Sequence, residues 1–379
     1  MTRRERLMAT LRHEPVDRPA VSFYELNGLD EHPDDLDPFN IYTHPSWRPL
    51  LDLAREKTDR IVMRHVAYTT AQPDPLASCS ETQTWLCDGT RFTMRRVRVG
   101  THCLTSRTRR DPDVNTVWAV EHLLKNVDDL RAFLEIPGAD TTGTVDTAPV
   151  MQAETALGDT GIVMIDTPDP LCLAASLFDM ADYTVIALTE PALFHKLLER
   201  FAAPLLAKTA AVAMALPGRL WRIYGPEYAA PPYLPPRLFR EYVCRYVTPM
   251  IDLIHQHGGY ARIHSHGKLK AILDDIVAMR ADGLDPLEPP PQGDVELEFV
   301  RANYGEQLVL FGNLEVSDIE TMPTVPFSEK VKRALAEGTA APGRGFVLMP
   351  SACPYGRHLS ALALRNYEAI IQLVEAGRG

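Results

Sequence analysis

Short apolar runs alternate with amphipathic stretches along most of this 379-residue chain, and the order of the two carries the fold. Thr2 and Glu5 have the spacing of a capping box, which predicts a helix through Leu11. The break His13-Glu14-Pro15-Val16-Asp17-Arg18-Pro19 then leads into a strand from Ala20 to Tyr24. Asn27 to Pro45 is rich in Asp, Pro and Asn and has no period, so it reads as a long loop. Trp47 to Thr58 is helical and Asp59 to Arg64 a second strand. Thr82 to Thr108 alternates polar and apolar residues about Asp88-Gly89, the signature of an antiparallel hairpin, followed by helices at Asn126 to Leu134 and Val150 to Leu157.

From Gly161 the alternation becomes regular. Strands are predicted at Gly161 to Asp166, Leu220 to Tyr224, Ala261 to His264, Gly283 to Leu287, Gln307 to Phe311 and Gly345 to Met349. The helices between and after them run over Pro191 to Leu216, Pro236 to His257, Lys268 to Met279, Val295 to Asn303, Ser328 to Glu337 and Ser360 to Glu375. With the two early strands this makes eight. Short, nearly all-apolar strands alternating with helices imply a parallel sheet, and eight such units imply a closed α/β TIM (β/α)8 barrel. The expected architecture is one domain over residues 1–379, with an N-terminal helix and the 82–108 hairpin inserted at the barrel mouth.

Composition narrows the function. A hydrophobic fraction of 45% supplies a sizeable core, and a net charge of −11 leaves no basic surface for nucleic acid or anionic lipid. The chain shows no export signal and no apolar run long enough to span a membrane, so a cytoplasmic protein is expected. Six cysteines without a Cys-x-x-Cys pair then read as free thiols.

In such a barrel, function sits just beyond the strand ends. Those positions hold Asp166-Thr167-Pro168-Asp169, Tyr224-Gly225-Pro226-Glu227-Tyr228, His264-Ser265-His266-Gly267, Glu288, Gly312-Asn313-Leu314-Glu315 and Ser351-Ala352-Cys353-Pro354-Tyr355. Two imidazoles two residues apart on a strand end face the same way. With Cys353 they form a donor set suited to catalytic Zn²⁺, and Glu227 is a fourth ligand or a general base. Bland roles remain open at each position: a backbone bond for His264, a helix cap for His266, packing for Cys353, an ion pair with Arg222 or Arg262 for Glu227. Arg357-His358 could meet an anionic substrate or simply be solvated.

Several of these segments, from Arg4-Glu5-Arg6 and Pro15-Val16-Asp17-Arg18-Pro19 to His264-Ser265-His266-Gly267, Gly283-Leu284-Asp285-Pro286-Leu287-Glu288-Pro289 and Phe311-Gly312-Asn313-Leu314, together resemble the uroporphyrinogen decarboxylase superfamily. The arginine-rich segment after the first strand and the aspartate after the second, which mark true decarboxylases of that family, are replaced here by Tyr24-Glu25-Leu26-Asn27-Gly28 and Arg64-His65-Val66-Ala67-Tyr68. The methyltransferase branch, with His-x-Cys on the fifth strand and Cys on the eighth, is closer, although His266 stands where its first Cys would be. The resemblance implies a zinc-dependent methyltransferase that moves a methyl group from a small donor, such as an O-methyl compound, to a corrinoid carried by a partner protein. His264, His266, Cys353 and Glu227 would hold the metal. Tyr224, Tyr228 and Asn313 would orient substrate beside a catalytic Glu227, with Arg64, Glu288 and Tyr355 as further substrate contacts; a homodimer is compatible with this. The alternatives are a cofactor-free decarboxylase anchoring a non-porphyrin acid on Arg64, Arg222 or Arg262, and a non-catalytic subunit of a corrinoid complex.

Overall fold

The computed structural model describes residues 1–341 and 343–377. Eight parallel strands form the central sheet: β1 Ala20–Val21, β2 Arg60–Arg64, β3 Gly161–Pro168, β4 Leu220–Tyr224, β5 Tyr260–His264, β6 Gly283–Asp285, β7 Val309–Leu314 and β8 Phe346–Pro350. Their order is β1-β8-β7-β6-β5-β4-β3-β2, so the sheet is wound into a nearly closed barrel with helices around it. The remaining seam lies between β1 and β2, and Asp59 crosses it. The Asp59 amide donates to the Val21 carbonyl at 2.6 Å, while the Val21 amide donates to the Asp59 carboxylate at 2.9 Å. Arg6 and Arg18 also donate to that fully buried carboxylate, at 2.5 and 2.7 Å, so its charge is matched.

Alternate strand residues point into the barrel, and they are layered. Ala20, Ile61, Ile162, Leu220, Val309 and Val347 pack into one apolar cluster with Met164, Phe311 and Met349, closed below by Leu7 and Leu11 of the first helix. That helix, Arg3–Leu11, carries the capping box read from Thr2 and Glu5. Above the apolar layer the filling turns ionic, with Arg222 on Asp166 and Arg262 on Asp285.

The region predicted as a hairpin is a four-stranded antiparallel sheet of Ser80–Cys87, Thr90–Val99, His102–Arg110 and Val117–Glu121. It docks on the loops after β1 and β8. Arg91 lies over the Phe39 ring at 3.8 Å, and the Asn115 amide donates to the Tyr355 carbonyl at 2.7 Å. A further pair, Ala67–Thr70 with Gly143–Asp146, and the helices Pro170–Ala175, Met180–Thr189 and Val316–Thr321 complete the mouth side. The helix expected over Lys268 to Met279 is shortened to Leu273–Ala278, and the one over Pro236 to His257 carries a π-turn at Arg240–Cys244. Among the described residues no helix is long and apolar enough to cross a membrane.

Candidate functional site

Strand register sets Tyr224 beside His264 and His264 beside Asp285, so β4, β5 and β6 end level with one another at the mouth. His264 is buried; its Nδ1–H donates to Asp285 at 2.8 Å, and its Nε2 faces the Tyr24 hydroxyl at 3.5 Å. Tyr24 stacks on the imidazole and its oxygen accepts from Arg222, whose Nε and Nη2 hold Asp166 at 2.6 and 3.1 Å. Arg262 is fully buried with Nε 2.8 Å from Asp285, and that guanidinium is the main charge holding the Asp285 carboxyl below the usual range against its burial. A chain of paired charges thus fixes the ring of His264 from beneath.

His266 is the more open of the pair. Its ring lies 4.7 Å from that of His264 at 89°, and its Nδ1–H donates to Glu288 Oε1 at 2.8 Å. The other oxygen of Glu288 accepts from the Gly267 amide at 2.6 Å, an orientation that uses the positive φ of +80° at Gly267. Burial disfavours the His266 cation, but the bond to Glu288 outweighs it and the imidazole pKa lies above its ordinary value. Both rings therefore spend Nδ1 on a carboxylate, the arrangement that outer carboxylates impose on metal-binding histidines; the Nε2 of His264 meets only the Tyr24 hydroxyl, at 3.5 Å.

The other expected metal ligands stand apart. The Cys353 thiol contacts the Tyr42 hydroxyl at 3.8 Å and the Pro354 carbonyl at 3.2 Å, and burial pushes its pKa up, so it is held as a neutral thiol where a metal needs a thiolate. Glu227 accepts from the Gly225 amide at 3.2 Å and acts on His266 only through its charge. Gly225 is required there: its φ is +118°, and a Cβ would stand 2.3 Å from that of Cys172. Among the described residues no group of three His, Cys, Asp or Glu side chains is assembled to hold a metal ion. Of the expected ligands, only the His264 and His266 imidazoles lie side by side.

The orienting and binding residues are spread around the mouth. Tyr224 is half-buried with Arg222 over its ring at 5.1 Å, and Tyr228 packs edge-on against Tyr183. Asn313 shares a small cavity with Pro289, Pro290 and Glu315. Tyr355 is exposed and its carbonyl is tied to the antiparallel sheet. Arg64 makes a two-point contact with Asp30 at 2.8 and 2.9 Å. Glu288, expected to meet substrate, instead holds His266.

Four residues enter the site that sequence reasoning did not select. His65 touches Asp166 through both ring nitrogens at 3.2 Å and meets Tyr224 edge-on. Asp285 orients His264. Glu315 is buried, with Oε2 accepting from Ser351 at 3.2 Å and Oε1 unpartnered; burial and the nearby Glu288 push its carboxyl up to about 7. Asp169 is also fully buried with Oδ2 unpartnered, and burial, joined by the charge of Glu227, raises it well above the carboxylate range. Their position at strand ends was a signal; which carboxylate meets which imidazole was not readable without the register.

An (α/β)-barrel with a carboxylate-backed imidazole pair at the C-terminal ends of its strands is the class defined here. The family profile described as "Uroporphyrinogen decarboxylase (URO-D)" matches residues 153–363, more than half of the sequence, and the chain belongs to that family. Among solved structures it is similar to a methyltransferase from Methanosarcina mazei, at 16% identity and a TM-score of 0.59 over 100% of both chains, which supports the fold. A D-psicose 3-epimerase structure aligns at 12% identity over 62% of this chain and 83% of its own, with a TM-score of 0.33 that carries no argument. No curated protein matches the sequence.

Proposed function

We propose that this chain is a methyltransferase that takes a methyl group from a small methylated donor, an O-methyl ether among them, and passes it to a corrinoid protein. The observation that carries the reading is the His264 and His266 pair, each with Nδ1 fixed by a carboxylate, at the C-terminal strand ends of a uroporphyrinogen decarboxylase-family barrel. In this reading His264 and His266 hold Zn²⁺, with Cys353 completing the set once its thiol turns from Tyr42 and loses its proton. A divalent ion bound there would polarise the donor atom that carries the methyl group. Asp285 and Glu288 keep both imidazoles in the tautomer that exposes Nε2, and Tyr24 and Arg222 keep the His264 ring from turning.

The decarboxylase alternative requires free cations for a substrate carboxylate. Arg64, Arg222 and Arg262 are each already paired, with Asp30, Asp166 and Asp285, which favours the methyltransferase reading. The test is metal analysis of the purified protein together with transfer of a methyl group to reduced cobalamin, followed by its visible spectrum. Loss of both metal and transfer in His266→Ala is expected; full transfer by a metal-free variant would end the reading.

A further inference from the structure

One outward face runs against the chain's net charge of −11. The four antiparallel strands Ser80–Cys87, Thr90–Val99, His102–Arg110 and Val117–Glu121 hold seven arginines, no lysine and two acids, Glu81 and Glu121. Side chains alternate between the two faces of such a sheet, and Val97, Val99 and Leu104 on one face are buried against the body. The other face therefore looks outward. Direct pairing sets Trp85, Phe92, Arg109 and Trp118 in a row across all four strands there, with Met94, Arg96 and Arg107 beside it. Trp85 stacks on Phe92 with ring centroids 5.6 Å apart, but Trp118 stays 50% exposed. Among the described residues Arg98 pairs with Glu81 and Arg109 with Asp111, while Arg96 and Arg107 meet no carboxylate.

A segment of opposite character adjoins this face. In the loop after β1, Asp34-Asp35-Leu36-Asp37 sets three aspartates around a leucine whose side chain is 93% exposed. Asp37 reaches Arg91 at 3.6 Å and Arg91 lies over Phe39, so the loop abuts the end of the sheet that carries the Trp85 to Trp118 row. Asp34 and Asp35 pair with no cation among the described residues, and at its exposure Leu36 does not fold back onto its own sheet. An acidic segment and a basic, apolar face that lie side by side without meeting in one chain can meet in a pair of chains, related by a two-fold axis between the two patches, with each copy supplying both halves. Exposed charges contribute little singly. The affinity of such a pair rests on Leu36 and Trp118, and the charges set its register.

We propose that two copies of this chain associate through this surface, residues 34–37 of each seated against the Trp118, Arg96 and Arg107 face of the other. The inference does not depend on the methyltransferase reading. It bears on the same mouth, because the loop runs on to Tyr42, which holds the Cys353 thiol at 3.8 Å.

The test is sedimentation velocity of the full chain over a concentration series. The parent is expected to run as a dimer that weakens as salt rises from about 50 mM to about 0.5 M, since exposed charges are screened. Asp34→Arg with Asp35→Arg should raise the dissociation constant about tenfold or more, and so should Arg96→Glu with Arg107→Glu, because each pair of changes sets like charges against one another in both contacts. An equimolar mixture of the two reversed variants should return to the dimer. In the mixed pair the reversed segment meets the reversed face and the parent segment meets the parent face, so this recovery also shows that both variants are folded. A parent that stays monomeric at every concentration would overturn the proposal and leave the face to an acidic partner of another sequence. Reversed variants that associate as the parent does, or a mixture that stays monomeric, would overturn it as well. Species larger than the dimer would do the same, as the mark of an open chain of contacts in place of a closed pair.

Discussion

His266 and Glu288 form the hinge of the site: Nδ1 and Oε1 are 2.8 Å apart, and the same carboxylate reaches back to the Gly267 amide at 2.6 Å. One side chain on the β6 loop therefore fixes both the ring and the backbone turn that presents it. Replacing Glu288 by Gln keeps the shape and removes the charge. The His266 pKa, read by NMR in metal-free protein, should fall from its raised value, because the bond and the charge that offset burial are weakened. Methyl transfer should drop about 10- to 100-fold, the cost usual for the loss of an outer partner of a metal-facing histidine. An unchanged His266 titration would show that Glu288 does not set its charge.

Glu315 makes a second prediction, in which the sign follows from linkage. Its folded-state pKa of about 7 lies above the ordinary value of 4.5, so the folded protein holds this proton more tightly than the unfolded chain. The stability so gained is complete below about pH 4.5 and is lost as the pH rises through 7. Glu288, Asp318, His266 and the Ser351 hydroxyl act on the group, and the first two add to the repulsion. Glu315→Gln should therefore be more stable than the parent at pH 8, by on the order of 1–3 kcal/mol, with the gap closing toward pH 5. Denaturant unfolding at the two pH values checks it.

Much of this was legible in the chain. The eight strands, the capped first helix and the position of His264-Ser265-His266 at the end of the fifth strand follow from short apolar runs and a period-two motif, which are local properties. The antiparallel sheet was half read. Asp88-Gly89 announces one tight turn, but Val117–Glu121 pairs across six intervening residues, Asp111 to Thr116, whose Pro, Asp and Asn mark a loop without saying which strand follows it. The ionic layer was hidden for a different reason. Arg222, Arg262, Asp166 and Asp285 look like polar residues interrupting apolar strands, and only the barrel register turns them into pairs. Cys353 lies at the expected strand end, yet its rotamer, which sends the thiol to Tyr42, is set by packing that no spacing encodes.

That thiol gives a third prediction. Half-buried and held neutral, Cys353 should react slowly with a thiol reagent at pH 7 in metal-free protein, while the exposed Cys87 and Cys103 react fast. Mass spectrometry of the labelled peptides reports each site. If zinc draws Cys353 into its shell, labelling of Cys353 stays low on metal loading and rises on chelation after partial unfolding; fast labelling in native protein would contradict a thiol held neutral against Tyr42.

The seam of the barrel supplies the last prediction. β1 and β2 are joined through Asp59, which receives Arg6, Arg18 and the Val21 amide and returns a backbone bond to Val21. Asp59→Ala leaves Arg18 and Arg6 in a dry setting without their counter-charge, although Arg6 keeps Asp17 at 2.7 Å. Removal of one partner from such a buried set costs about 3–5 kcal/mol, far more than the loss of an exposed ion pair. Asp59→Asn should cost less, since the amide oxygen still accepts one of these bonds while the charge is gone. The comparison control is Asp52→Ala, whose ion pair with Arg55 is exposed and should be worth under about 1 kcal/mol. Urea midpoints that ranked Asp52→Ala with Asp59→Ala would show that the seam is held by backbone pairing alone.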